Sequence, residues 1–248
     1  MSSGEDVVTA AALVIGDEIL SGRTQDRNIN YIAAHCTRVG IRLCEVRIVA
    51  DVEEDIVCAL DALRRRYTYV FTTGGIGPTH DDITADAVAK ALGLAIDHNP
   101  RAVKMLEDYF ALRNVQPTPA RMRMARIPRG AELIANAVSV APGFIVENVI
   151  VLAGVPDVMQ VMLDDITPRL RTGAKMRTAT IQLVRPEGDV ADIFAEHQQS
   201  FPDIAMGSYP SFAGGRVSTQ LVLRSTNFAL LETARIELEA KLRARGLL

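Results

Sequence analysis

The stretch Thr72-Thr73-Gly74-Gly75-Ile76-Gly77-Pro78-Thr79-His80-Asp81-Asp82-Ile83-Thr84-Ala85-Asp86 organises the chain. Ahead of it, Tyr67-Thr68-Tyr69-Val70-Phe71 is β-branched and aromatic, the composition of a buried strand. Behind it, Ala85 to Leu92 carries Val88, Ala91 and Leu92 and is closed by Gly93, which predicts a helix with a glycine just past its end. The glycines therefore fall on a strand-to-helix turn, where an α/β sheet receives ligands. Gly74, Gly75 and Gly77 can take positive φ and leave no Cβ in front of backbone N–H groups. Those groups, with the positive end of the next helix, suit a phosphate or another anion. Pro78 stiffens the turn. Asp81 and Asp82 would repel a bare phosphate. A divalent cation resolves the conflict, because Mg²⁺ favours carboxylate together with phosphate oxygens. A purely structural reading gives one of the two aspartates the helix cap instead.

The preceding residues repeat this arrangement. Val7 to Ile15 is an uncharged apolar run, typical of a central parallel strand, and it ends in the glycine-bounded acidic loop Gly16-Asp17-Glu18-Ile19-Leu20-Ser21-Gly22. Asp26 or Thr24 can cap a helix running through Thr37, which Gly40 stops; Arg42 to Val49 reads as a strand. Asp51-Val52-Glu53-Glu54 has a capping-box pattern ahead of a helix with Ile56, Val57, Leu60 and Leu63 on one face; Arg64 to Arg66 form its solvated terminus. Alternating strands and helices imply a parallel sheet with right-handed crossovers. Asp17, Glu18, Asp51, Asp81 and Asp82 then share its carboxyl edge.

Downstream, Pro100 to Leu112 is a further helix, Ala120 to Arg126 is short and basic, and Ala131 to Ile134 is a short strand. Phe144 to Leu152 is a hairpin through Glu147-Asn148, running into a third tight loop at Ala153-Gly154-Val155-Pro156 and then a helix from Val158 to Ile166. The polar stretch Arg171 to Lys175 marks a boundary, giving units 1–170 and 176–248. The second unit reads as strand 178–184, helix 190–199, strands 204–209 and 216–224, and a closing helix 227–243. Ser208-Tyr209-Pro210 and Gly214-Gly215 look like turns. The expected fold is thus α/β, a three-layer, mostly parallel sheet flanked by helices, followed by a small C-terminal α+β domain.

With 248 residues and a net charge of −3, the chain is large enough for a sizeable core and has no bulk attraction to nucleic acid or acidic membranes. No apolar stretch is long enough to span a bilayer. The start, Met1-Ser2-Ser3-Gly4-Glu5-Asp6, lacks the basic region of a signal peptide, so a cytoplasmic location is expected. Cys36, Cys44 and Cys58 lack C-x-x-C spacing and read as buried reduced thiols. There is no P-loop, G-x-G-x-x-G after a strand, H-E-x-x-H or G-x-S-x-G, and no visible covalent nucleophile. Among the histidines, His35 reads as a helix-surface residue, and only His80 falls inside a candidate site. Carboxylates beside glycine-rich anion seats suit metal-assisted phosphoryl or nucleotidyl chemistry.

Thr73 to Thr84 resembles the signature of the molybdopterin-binding domain superfamily of molybdenum-cofactor biosynthesis. Gly16 to Gly22, with Thr24-Gln25-Asp26, narrows the resemblance to the competence/damage-inducible protein A family, and especially to the molybdopterin-binding-like domain that precedes eukaryotic FAD synthase. It continues through Ala141-Pro142-Gly143-Phe144 and Glu147-Asn148-Val149, covering roughly residues 7–170. Gly207-Ser208-Tyr209-Pro210 is similar to the segment that follows this domain. The resemblance implies a three-layer α/β fold and a homo-oligomer. It implies molybdopterin adenylation in some members, ADP-ribose pyrophosphatase activity in others, and metal-dependent FAD hydrolysis in the FAD synthase domain. By position, Asp51 and Asp82 match acids held important in adenylation. Ala153 departs from the proline of many relatives, and neither an amidohydrolase nor an FAD-synthesising domain is expected within these residues. The segment Arg121 to Arg129 is either an exposed basic turn or a set of ligand contacts.

The leading expectation is a pyrophosphatase for a dinucleotide such as FAD or ADP-ribose. It would use Mg²⁺, Mn²⁺ or Co²⁺ and no tightly bound organic cofactor. Asp82 and Asp51 are the catalytic candidates, and Asp17, Glu18, Asp81 and Asp82 the metal ligands. Gly16, Thr73, Gly74, Gly75, Gly77, Pro78 and Gly154 are the substrate contacts. Molybdopterin binding or adenylation, and a non-catalytic nucleotide- or pterin-binding module, are the alternatives.

Overall fold

The computed structural model describes residues 7–248, the side chain of Ala213 excepted; the opening Met1 to Asp6, read above for its lack of a basic region, lies outside the described residues. The chain divides into two units, Met1–Gly173 and Ala174–Leu248.

The first unit runs β1 (Thr9–Ile15), α1 (Asp17–Leu20), α2 (Asn28–Val39), β2 (Arg42–Val49), α3 (Glu53–Arg64), β3 (Tyr69–Thr73), α4 (Thr84–Leu92), β4 (Ile96–His98) and α5 (Pro100–Leu112). It continues with α6 (Pro119–Met122), β5 (Arg126–Pro128), β6 (Glu132–Ile134), β7 (Gly143–Val146), β8 (Val149–Leu152) and α7 (Pro156–Ile166). The main sheet has the order β2-β1-β3-β8-β7-β6. Strands β2, β1, β3 and β8 are parallel, and β7 alone runs the other way, paired antiparallel with both β8 and β6. A strand buried on both faces sends alternate side chains to opposite layers. Leu13, Ile15, Val149 and Val151 accordingly join Ile56 and Leu60 of α3, Val88 of α4 and Leu106 of α5. Ala10, Ile150 and Leu152 join Ile32 of α2 and Met159, Met162 and Ile166 of α7 on the other face. The three-layer α/β expectation therefore holds.

The second unit runs β9 (Arg177–Leu183), α8 (Ala191–Ser200), β10 (Ala205–Ala213), β11 (Arg216–Ser225) and α9 (Phe228–Ala244), with the sheet order β10-β11-β9. Its core joins Ile181, Leu221 and Leu223 to Ile193 of α8 and to Leu231, Ala234 and Leu238 of α9. Gly214 and Gly215, both at positive φ, turn the β10–β11 hairpin. Ser208-Tyr209-Pro210, expected as a turn, is strand instead. Pro210 is tolerated because β10 is an edge strand with one side unpaired.

Other local expectations also change. Asp51 does not cap α3: Val52 stands at the cap position and no side chain bonds there. Nor does Asp81 or Asp82 cap α4: Ile83 stands at the cap position and no side chain bonds there. His35 is buried, its Nε2 2.7 Å from Thr167 Oγ1, because α2 turns that face toward α7 and the short turn after it. Of the three free thiols only Cys36 is buried, and burial pushes its thiol up to about 12; Cys44 and Cys58 are exposed. Arg64 is turned inward onto Asp61 and the Ala91 carbonyl, so only Arg65 and Arg66 are solvated. The β4–β5 ribbon was not anticipated: its three-residue strands are too short to show a period.

Candidate functional site

Strand β1 lies between β2 and β3, so the chain leaves it in opposite directions, and the crevice above the carboxyl ends of β1 and β3 is a topological switch point. Four loops converge there, after β1, β2, β3 and β8. Their packing explains the glycines. A Cβ on Gly74, at φ +103°, would overlap the Ile15 carbonyl oxygen at the end of β1. Gly154 abuts the Gly74 backbone, where an added Cβ would come within 3.2 Å of the Gly74 Cα, and its carbonyl accepts from Asn28 Nδ2 at 2.8 Å.

The loop after β3 is held from beneath by Thr84, the first residue of α4. Its buried hydroxyl donates to the Gly74 carbonyl at 2.9 Å and its N–H to the Gly75 carbonyl at 3.0 Å. This leaves the N–H groups of Gly75, Ile76 and Gly77 without hydrogen-bond partners among the described residues. Successive free N–H groups of this kind make an anion nest. Gly77 is not at positive φ; it is glycine because a Cβ would meet Asp82 Oδ2 at 2.7 Å. That carboxylate curls back over the loop, accepting from Thr79 N–H at 2.7 Å and Thr79 Oγ1 at 2.5 Å.

The acids fall into two groups. Asp17 and Glu18 form the first turn of the short helix α1, where a loop was expected, and Asp51 Oδ2 accepts the Asp17 N–H at 2.9 Å. Burial raises the Asp51 carboxyl above its ordinary range. The Asp17 N–H opposes that shift, while the charges of Asp17, Glu18 and Asp81 add to it. Asp82 belongs to the second group. It lines a narrow pocket with Gly75, Gly77, Asp86, Arg123 and Arg126. Arg123 Nε donates to the Asp82 carbonyl at 3.3 Å and Arg126 Nη2 to Asp86 Oδ1.

Arg123 and Arg126 are thus turned to the site. Arg121 instead donates to the Gln116 carbonyl and lies over the Phe110 ring, and Arg129 is exposed. Thr73 ends β3 fully buried, its hydroxyl unpartnered among the described residues. Pro78 and His80 stand at the mouth of a wider cleft of about 370 Å³. Among the described residues, no group of three or more His, Cys, Asp or Glu side chains is arranged to hold a metal ion. Asp86 and Asn28 were not singled out from the sequence as site residues, whereas Arg123 and Arg126 fall in the Arg121 to Arg129 segment that could be a set of ligand contacts.

An α/β domain whose loops meet at a topological switch point is an architecture that receives small-molecule ligands. A family profile described as "Probable molybdopterin binding domain" matches residues 11–172, and one described as "FAD synthase, middle domain" matches residues 175–248. The chain belongs to the probable molybdopterin-binding domain family. A protein of Pyrobaculum calidifontis is 36% identical over 212 residues, covering 82% of this chain and 80% of the relative. A CinA-like protein of Myxococcus xanthus is 32% identical over 164 residues, covering 64% of this chain and 39% of that protein. The solved CinA of Thermoplasma acidophilum is 32% identical with a TM-score of 0.61, covering 65% of this chain and 96% of that one. Among the described residues no helix is long and apolar enough to cross a membrane.

Proposed function

We propose that the first unit is a metal-dependent hydrolase of the diphosphate bond in a dinucleotide such as FAD or ADP-ribose. The observation that carries this reading is the row of free N–H groups from Gly75 to Gly77 beside carboxylates on three neighbouring loops. A phosphate on those N–H groups would be held without a covalent step. Burial is the main cause of the raised Asp51 carboxyl; the charges of Asp17, Glu18 and Asp81 add to it, and that part is what a divalent cation such as Mg²⁺, Mn²⁺ or Co²⁺ would relieve. Two or fewer carboxylates with waters and substrate phosphate oxygens complete a Mg²⁺ shell, so a three-residue protein cage is not required. Asp17, Glu18 or Asp81 would hold the ion, which when bound would supply charge against the phosphoryl oxygens and a more acidic water. Asp82, oriented by Thr79, accepts a proton at the phosphate side. The FAD synthase middle-domain match of residues 175–248 supports a flavin dinucleotide among the substrates.

Molybdopterin binding or adenylation is the second reading, favoured by the family description of residues 11–172. A non-catalytic nucleotide- or pterin-binding module is the third. A turnover screen of FAD, ADP-ribose and molybdopterin with several divalent metals separates them. In that screen Asp82→Asn is expected to cut turnover by at least ~10²-fold with nucleotide affinity equal or tighter. A wild-type rate in Asp82→Asn at saturating metal sinks its catalytic role.

A further inference from the structure

Arg123 and Arg126 stand between two concavities. The narrow one has Gly75, Ile76 and Gly77 along one side and Asp82 and Asp86 along another; the wider one opens between Pro78, His80, His98 and Pro119. Both arginines line both concavities. Two elements bring them there: the short helical turn that follows α6 carries Arg123, and β5 carries Arg126.

A single carboxylate answers the two guanidinium groups. Arg126 Nη2 donates to Asp86 Oδ1, and Arg123 Nη2 lies 3.7 Å from Asp86 Oδ2. The Asp82 carboxylate lines the same concavity and balances the charge, but it is turned onto Thr79, so Asp86 is the one carboxylate paired with the two guanidinium groups. Arg126 Nε is buried and has no hydrogen-bond partner among the described residues. An unpaired buried donor costs free energy until an acceptor reaches it. The narrow concavity holds only about 20 Å³, whereas the wider cleft, about 370 Å³, has room for an organic group.

We propose that Arg123 and Arg126 make the site select a diphosphate over a monophosphate. One phosphate sits on the Gly75–Gly77 N–H groups, the adjoining phosphate takes the two guanidinium groups, and the organic group beyond it lies in the wider cleft. This selection rests on the glycine loop being the phosphate seat proposed above. A guanidinium presents a planar fork of donors matched to phosphate oxygens, which one aspartate shared between two arginines does not fill. Asp86 is then a positioning residue. It holds both forks toward the loop before the ligand arrives and so lowers the ordering cost of binding.

The test is calorimetric titration of the full chain, first without metal and then with Mg²⁺, using inorganic phosphate, inorganic pyrophosphate, AMP and ADP. The wild type is expected to bind pyrophosphate and ADP at least about tenfold tighter than phosphate and AMP, the worth of one charge-assisted contact. Arg123→Gln and Arg126→Gln are expected to bring that ratio toward one while leaving phosphate affinity within about threefold. Arg126→Lys keeps the charge without the fork and should hold an intermediate ratio; it serves if the glutamine variant fails to fold. A ratio unchanged in both arginine positions overturns the assignment, as does a wild type that prefers neither class. Retained phosphate binding without a diphosphate preference would leave the seat standing and remove the arginines. Failure to bind any of the four ligands would remove both.

Discussion

Asp51 Oδ2 accepts the backbone N–H of Asp17 at 2.9 Å, tying the loop after β2 to the first residue of α1. Asp51-Val52-Glu53-Glu54 offers this carboxylate to α3 as a cap, yet the fold turns it to the helix of a neighbouring strand. The bond brings a third negative charge against Asp17 and Glu18, and burial with those charges raises the Asp51 carboxyl.

Asp51→Asn is therefore expected to be more stable than the wild type near neutral pH. Asn still accepts the Asp17 N–H but carries no charge. Because the folded carboxyl titrates above its unfolded value, the wild type gains stability as pH falls through the raised value, so the advantage of the variant should vanish on acidification. Chemical denaturation at neutral and acidic pH reads this directly. If Asp51 also serves the reaction, the same variant loses metal-dependent turnover by ~10²-fold or more. A variant less stable at neutral pH would contradict the charge crowding.

Gly75 and Gly77 are expected to fail in different ways. Gly75 sits at φ +64°, and an added Cβ would overlap the buried Thr84 hydroxyl that holds the loop. Gly75→Ala should cost roughly 1–3 kcal/mol of stability through strain and the lost hydrogen bond. Gly77 has no positive φ, and the nearest atoms to its Cβ would be those of the Asp82 carboxylate, a side-chain end that can shift by loosening its bonds to Thr79. Gly77→Ala should keep the melting temperature within a few degrees while weakening ADP binding about tenfold or more. Equal melting temperatures with equal ADP affinities would refute both assignments.

His35 gives the first unit a pH-dependent tie. Burial, reinforced by Arg38, holds its imidazole below the ordinary value, with Asp164 opposing. The unfolded chain then binds more protons as pH falls below about 6.5. The stabilising contribution is complete above that pH and is lost below it, toward the depressed folded value. His35→Gln should flatten the slope of stability against pH in that window, as measured by denaturant midpoints. An unchanged slope would mean that the ring titrates alike in both states.

Residues 1–173 are expected to fold without the rest. The cut belongs after Gly173 rather than at 170, because Arg171 N–H donates to the Tyr69 hydroxyl at 2.8 Å and Gly173 N–H to the Gly40 carbonyl at 3.1 Å. Circular dichroism and a single cooperative melt are the readouts. An insoluble or unfolded fragment would place the folding unit elsewhere.

Regular elements of the first unit were legible in the chain because their signals are local. The uncharged run to Ile15, the glycines closing α2 and α4 at Gly40 and Gly93, and the Glu147-Asn148 hairpin each carry period, composition or turn chemistry within a few residues. The parallel sense of the first three strands follows from alternation of those elements, and with it the gathering of Gly16, Asp51 and Gly74 at one sheet edge; the strand order, which brings Gly154 beside Gly74, does not. Side-chain partners were not legible, since a polar side chain takes whichever donor the fold brings nearest. Asp51 was free to cap α3 or to reach Asp17, and only the adjacency of β2 and β1 decided for Asp17. Asp86 of helix α4 meets Arg123 of the short turn after α6 and Arg126 of the ribbon strand β5, some forty residues further along the chain. Gly77 is small because the Asp82 carboxylate of its own loop folds back on it, whereas Gly154 is small because the Gly74 backbone approaches from another strand's end, a demand set by tertiary packing alone.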